Sequence, residues 1–201
     1  MSLELKPGIT LYLARHGQTV ANQQHRFSGK RDTPLTELGL TQVRAVGRIM
    51  TRAVGMRPAL NFVSSPLARA QQSMEIVRSE LGLPKDGFIT DARIQEIDLG
   101  EWDQLTDEEA RARDPAKFEA RGADKWTVAV PGGENYRDVA ARAGEWVQSL
   151  TADTFAVSHG AVIRILRGLF GGLGWQAMSA LDEPQGVVFY IKGAQVTRLD
   201  P

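Results

Sequence analysis

Two of the three histidines in this chain stand in the same setting. Leu11-Tyr12-Leu13-Ala14 runs into Arg15-His16-Gly17, and Phe155-Ala156-Val157-Ser158 runs into His159-Gly160. Each is a short apolar run, as a buried strand has, ending in a His-Gly pair. Open α/β sheets bind ligands outside the carboxyl ends of their strands, so both imidazoles are expected at one site. An arginine fork matches phosphate oxygens and keeps its charge at any working pH. A neutral imidazole can attack phosphorus to give a covalent intermediate. The pattern therefore points to chemistry on a phosphate ester. Taken alone, Arg15-His16-Gly17 is a tripeptide that recurs by chance, and a solvated arginine beside a strand-capping histidine reads it as well or better.

Three more residues extend the pattern. Arg69 falls about one turn into a helix expected to open at Ser65-Pro66. Helix N-termini favour anions, so a cation there calls for something negative nearby; the plainer alternative is an exposed arginine in a weak surface pair. His159 repeats the strand-end placement, although a satisfied structural histidine would look the same. Glu96 precedes a loop containing Gly100 and is placed to protonate a departing alkoxide, whereas any single glutamate is more simply a solvated carboxylate. His25 has no such context and reads as surface.

The elements that must position these residues follow from periodicity. Strands are expected over 9–14, 60–64, 91–96 and 154–158, with a closing hairpin of 187–191 and 195–199. Thr36 can cap a helix to about residue 53 whose buried face holds Leu40, Val43, Val46, Gly47 and Met50. Ser65 as cap and Pro66 in the first turn open a second helix, which Gly82 and Pro84 stop. Thr106 and Glu109 have capping-box spacing, further helices cover 135–150 and 161–170, and Pro131-Gly132-Gly133 is a sharp turn. Strands alternating with helices give a three-layer α/β/α fold with a mostly parallel central sheet. The 201 residues fit one domain (1–201), with the polar, weakly periodic stretch within 100–130 read as an insertion covering the site.

Composition narrows the function. Twenty-four basic residues balance twenty-four acidic ones, so no global field favours nucleic acid or a membrane surface, and any anion must be held locally. Cysteine is absent, which excludes disulfides, thiolate metal sites and a cysteine nucleophile. The first residues lack the layout of a signal peptide, and no apolar run is long enough to span a bilayer, so a cytoplasmic location is the default.

Six blocks, in order along the chain, resemble the histidine phosphatase superfamily in its phosphoglycerate mutase-like branch. They are Leu13-Ala-Arg15-His16-Gly17-Gln18-Thr19-Val-Ala-Asn22, then Arg26-Phe27-Ser28-Gly29 through Asp32 to Gly39, and Ser64-Ser65-Pro66-Leu67-Ala68-Arg69-Ala70. Glu96-Ile-Asp-Leu-Gly100-Glu-Trp102, Pro131-Gly-Gly-Glu134 and Val157-Ser158-His159-Gly160 complete the series. The resemblance implies that His16 is the nucleophile that becomes phosphohistidine. It implies that Arg15, Arg69 and a cationic His159 hold the phosphoryl oxygens, and that Glu96 is the proton donor and then the base for water. Asn22, Ser28, Gly29 and Gly160 match positions that help bind phosphate or substrate.

Three positions depart from that pattern. Gln18 stands where glutamate is commoner, Gln104 where glycine is frequent, and Ala161 where the mutases carry asparagine. The expected activity is metal-independent, cofactor-free hydrolysis of a small phosphate ester, with no nucleic-acid or membrane partner. A phosphoglycerate mutase and a catalytically silent phosphate-binding module are the alternatives, the second disfavoured because a binder needs no acid. Substrate identity and assembly, a homo-oligomer included, are left open.

Overall fold

The computed structural model describes residues 2–201. Six strands form one mixed sheet: β1 (Thr10–Arg15), β2 (Asn61–Ser64), β3 (Ile89–Thr90), β4 (Thr154–Ser158), β5 (Val188–Lys192) and β6 (Gln195–Leu199). Their order across the sheet is β3-β2-β4-β1-β5-β6. The first four run parallel, and the hairpin β5–β6 closes the sheet by pairing antiparallel with β1.

Alternation along the central strands feeds two separate cores, as a sheet covered on both faces requires. Leu11 and Leu13 of β1 and Ala156 of β4 pack towards α6 (Tyr136–Ser149) and α7 (Gly160–Phe170), against Val139, Trp146, Ile163 and Leu166. Tyr12, Ala14, Phe155 and Val157 face the opposite way, onto Val46 and Met50 of α2 (Glu37–Val54) and Met74 and Val77 of α3 (Ala68–Glu80). Four short helices complete the set: α1 (Val20–Gln23), α4 (Asp107–Arg113), α5 (Pro115–Ala123) and α8 (Trp175–Ser179), the last packed on α7.

Two local expectations are corrected. Residues 91–96 do not form a strand: β3 ends at Thr90, and a 3₁₀ turn occupies Ala92–Ile94. The Asp91 carboxylate causes this by accepting from the Arg93 backbone N–H at 2.9 Å and from its guanidinium at 2.6 Å. Helix α3 starts at Ala68, and its N-cap Leu67 supplies no side-chain bond, so Ser65 is not the cap. The stretch read as weakly periodic contains α4 and α5, hinged at Asp114, whose side chain caps α5 ahead of Pro115.

Gly17 is fixed by packing. A Cβ there would lie 2.4 Å from the Gly39 carbonyl oxygen at the start of α2, so the backbone approach it permits is to another backbone. Gly17→Ala should lower stability by about 1–3 kcal/mol through overpacking. Urea unfolding checks this, and an unchanged midpoint would contradict it.

Candidate active site

Sheet order and register set the geometry. Arg15 of β1 pairs with Ser158 of β4, and Ser64 of β2 pairs with Val157, so the residues just beyond three adjacent parallel strands sit side by side. Those residues are His16, His159 and Ser65. The two imidazoles are buried, with ring centroids 5.0 Å apart. Their proximity was expected from the repeated strand-end motif.

Hydrogen bonds fix how each ring is presented. Nδ1 of His16 lies 2.7 Å from the Gly17 carbonyl oxygen. A carbonyl only accepts, so Nδ1 carries the proton and Nε2 keeps its lone pair. The Arg69 Nε–H points at that lone pair from 3.4 Å. His159 Nε2 lies 2.7 Å from the Ser65 hydroxyl, which also accepts the Leu67 N–H at 3.3 Å. Among the described residues Nε2 is the hydroxyl proton's one acceptor, which leaves His159 Nδ1 as a buried N–H donor without a partner. Burial pulls both imidazoles well below the usual 6.5, with Arg15 and Arg69 adding to the effect. Burial thus works against the cationic His159 expected above, and the Ser65 hydroxyl lets a neutral ring present Nδ1–H as a donor.

Arg69 is fully buried. Its guanidinium meets the Gly29 carbonyl at 2.6 Å, the Arg31 carbonyl at 3.0 Å and the Asp32 carboxylate at 2.9 Å. Asp32 also accepts the Ala68 N–H at 2.8 Å and the Arg69 N–H at 3.3 Å. The negative group demanded by a cation at a helix N-terminus is thus Asp32, which caps α3 from 36 residues away. Arg15 donates through Nη1 to the Glu183 carbonyl at 2.6 Å, and its buried Nε has no partner. The Ser28 hydroxyl is buried and unpartnered in the same way. Asn22 is held by the capping box of α1, its Oδ1 accepting from Thr19 and Gln185, and it lines the cavity.

Gly29 and Gly160, expected to help bind phosphate or substrate, each meet neighbouring protein groups. The Gly29 N–H is taken by Asp103 at 2.8 Å and its carbonyl by Arg69, so it braces the loop instead of lining the cavity. Gly160 opens α7 and seats the Glu183 carboxylate, since a Cβ there would come within 2.5 Å of Oε2. Gln18 turns away to accept from the Thr36 hydroxyl at 2.8 Å. Gln104 takes φ 75, the left-handed conformation that glycine usually supplies, so the loop keeps the glycine geometry. Ala161 lies on the cavity wall.

Glu96 is buried in that cavity, which encloses about 360 Å³. Burial raises its pKa above the usual 4.5, the Glu183 carboxylate adds to the rise, and the Ile97 N–H, Arg69 and Arg15 oppose it. Its loop is clamped by Arg142, which donates to the carbonyls of Arg93 and Gln95 at 2.8 Å and forms a two-pronged pair with Glu134 at 2.9 and 3.0 Å. Arg142, Ser65, Asp32 and Glu183 all serve the site without having been singled out as site residues in the sequence. Only Asp32, Ser65 and Glu134 fall inside the motif blocks; Arg142 and Glu183 carry no local signal.

The model of the histidine phosphatase superfamily (branch 1) matches residues 11–192. A 2,3-bisphosphoglycerate-dependent phosphoglycerate mutase of Methylobacterium sp. (strain 4-46) is 34% identical over 187 residues, 88% of each chain. Among solved structures, YhfR of Bacillus stearothermophilus is 30% identical with a TM-score of 0.81, covering 94% of this chain and 95% of that one. The mycobacterial glucosyl-3-phosphoglycerate phosphatase in complex with VO3 is 31% identical with a TM-score of 0.76, covering 96% and 98%.

The buried imidazoles make stability depend on pH. Unfolded histidines take up protons near 6.5 while His16 and His159 stay neutral in the fold, so stability is complete above 6.5 and falls as pH drops below it. Each such histidine contributes a slope of about 1.4 kcal/mol per pH unit. His159→Gln should roughly halve the fall between pH 6.5 and 5 in denaturant titrations; an unchanged slope would show that the ring titrates normally.

Proposed function

From the premise that this chain belongs to the histidine phosphatase superfamily, branch 1, we propose that it is a metal-independent phosphomonoesterase acting on a small phosphorylated metabolite. One observation carries the reading: a buried His16, whose Nδ1 bonds the Gly17 carbonyl so that only the long Arg69 contact engages Nε2, adjoins Arg15, which lines one cavity with Glu96, a buried carboxyl whose pKa is raised. That combination supplies a nucleophile and an acid, and burial moves each towards the protonation state its task needs.

His16 Nε2 attacks phosphorus, forming the P–N bond as the P–O bond to the leaving group breaks. Glu96 passes its proton to the departing alkoxide. The carboxylate then takes a proton from water, whose oxygen attacks phosphorus. The P–N bond breaks, its electron pair returns to Nε2, and inorganic phosphate leaves. Arg15 Nε, the His159 Nδ1–H, the Ser28 hydroxyl and Asn22 are the donors for the phosphoryl oxygens, joined by the Arg69 Nε–H once His16 Nε2 bonds phosphorus and releases it. Phosphoryl transfer is mostly positioning and charge stabilisation, which suits so many fixed donors. The vanadate complex of the mycobacterial phosphatase supports an oxyanion site of this kind.

The mutase relative favours a second reading, in which the phosphoryl group returns to substrate. Hydrolysis is preferred because Ala161 stands on the cavity wall where the mutases have asparagine. The deciding assay supplies 3-phosphoglycerate with catalytic 2,3-bisphosphoglycerate, and separately nitrophenyl phosphate. Free phosphate should dominate, and should persist after chelation and dialysis. Rapid 2-phosphoglycerate formation with little free phosphate would establish the mutase instead.

The pH profile has a defined shape. Its acid limb, from His16, lies below 6.5, and its alkaline limb, from Glu96, lies above 4.5. In kcat/KM, which reads the phosphorylation of His16, Glu96→Gln should slow alkyl phosphates by about 10²–10⁴ while sparing nitrophenyl phosphate, whose leaving group departs without a proton, and kcat should fall for both where dephosphorylation limits turnover. The alkaline limb should vanish with it. Equal losses for both leaving groups, with chemistry rate-limiting, would remove Glu96 from the role of acid.

A further inference from the structure

Tyr136, Arg164 and Glu183 stand on the cavity wall beside Arg15, and none of them is among the donors to the phosphoryl oxygens. Arg164 ties the other two together. Its Nε donates to the Leu181 carbonyl at 2.8 Å, and its Nη1 donates to the Tyr136 hydroxyl at 3.0 Å. The same Nη1 meets Glu183 Oε1 at 3.2 Å, so the phenol and the carboxylate are set side by side. The Glu183 backbone is pinned as well, its carbonyl accepting from Arg15 at 2.6 Å.

Each of these two groups has a hydrogen bond still to make. Tyr136 is only 4% exposed; its hydroxyl accepts from Arg164, and no acceptor takes the phenol proton among the described residues. Burial raises the Tyr136 pKa above the usual 10, so the phenol keeps that proton. Glu183 is half-buried, and its Oε2 stands 3.8 Å from Arg15 Nη1, beyond hydrogen-bond reach and with no donor among the described residues. Buried polar groups are ordinarily paired, so a donor and an acceptor left open on one wall call for a group that meets both.

A hydroxyl does this with a single oxygen, accepting from the phenol and donating to the carboxylate. Other groups fail at one of the two contacts. An anion would accept from Tyr136 but face Glu183, and an ammonium would pair with Glu183 but offer the phenol no lone pair. An ether or a methyl group would leave Glu183 without a donor. We propose that Tyr136 and Glu183, braced by Arg164, are specificity-determining residues that read a hydroxyl on the leaving group, within two carbons of the ester carbon. The short reach follows from Glu183, which stands next to Arg15 and over Gly160, at the phosphoryl end of the cavity. This rests on the phosphatase reading and narrows its substrate class.

The test measures kcat/KM by free-phosphate release for 2-hydroxyethyl and 3-hydroxypropyl phosphate. Propyl and butyl phosphate match them in size, and 2-methoxyethyl and 3-methoxypropyl phosphate match the electron withdrawal of the oxygen without its proton. At least one hydroxyl substrate should exceed both of its partners by about tenfold or more, and the two arms show the reach. Tyr136→Phe should bring those ratios towards one, whereas a merely structural Tyr136 would lower every rate alike. Glu183→Gln keeps an acceptor without the charge and should lower the ratios part-way. Tyr190→Phe, a phenol outside the cavity, should leave them intact. Calorimetry with the unreactive 3-hydroxypropyl- and 4-hydroxybutylphosphonates against butyl- and pentylphosphonate reads the same preference as affinity. Turnover of 2-aminoethyl phosphate above that of both hydroxyl substrates overturns the hydroxyl site in favour of an ammonium site. Brisk turnover without preference, or a preference untouched by Tyr136→Phe, overturns the hydroxyl site and leaves the phosphatase standing. No phosphate release from any substrate, nitrophenyl phosphate included, overturns the phosphatase, and the phosphonate affinities then decide the hydroxyl site alone.

Discussion

Pairing Arg15 with Ser158 across β1 and β4 brings two imidazoles to 5.0 Å inside the protein, next to two guanidiniums. None of these groups would assemble there unaided, because burial penalises the cations and the cations penalise protonation of the rings. The parallel ladder and its two apolar faces supply the stabilisation that offsets this. Burial and the two guanidiniums hold the His16 ring neutral, and the Gly17 carbonyl, by taking Nδ1, leaves Nε2 as the lone-pair nitrogen.

The surrounding loops are arranged around the same charge problem. Asp32 balances Arg69 and the start of α3 together, so one carboxylate ties the 26–34 loop to the helix. Asp103 grips the same loop through the Gly29 and Arg31 N–H groups, and Lys30 meets Asp98 at 2.6 Å. The Glu96 loop is held from the other side by Arg142 and Glu134. Glu183 completes the balance: it fixes Arg15 and Arg164 while raising the pKa of Glu96. Arg15, Arg69 and Glu96 are thus positioned by separate clamps, and Arg15 and Glu96 meet on the wall of one cavity.

What is local was legible in the sequence. Apolar runs ending in His-Gly marked β1 and β4, and Thr36 and Thr106 stand as helix caps with their side chains bonded as spacing predicts. What depends on partners distant in sequence was not. Ser65 looks like a helix cap because Pro66 follows it, but the His159 ring, 94 residues on, takes its hydroxyl. Asp91 reads as strand by pattern, yet its carboxylate closes a tight turn on Arg93. Gln104 departs from a glycine position, while contacts to the Phe27 carbonyl at 2.9 and 3.3 Å hold it in the glycine conformation. Glu183, Arg121 and Lys125 lie outside every recognisable motif, and only the folded cavity shows that they face it.

The central claim is that the phosphoryl group passes through Nε2 of His16, and trapping tests it most directly. Mixing enzyme and a turned-over phosphate ester for milliseconds, quenching in alkali, digesting and sequencing by mass spectrometry should place phosphate on the peptide carrying His16. Phosphorus NMR of the denatured phosphoenzyme should show the Nε2 isomer, because Nδ1 is committed to the Gly17 carbonyl. Phosphate on another residue, on Nδ1, or full single-turnover release with no acid-labile enzyme-bound phosphate at any time would contradict it.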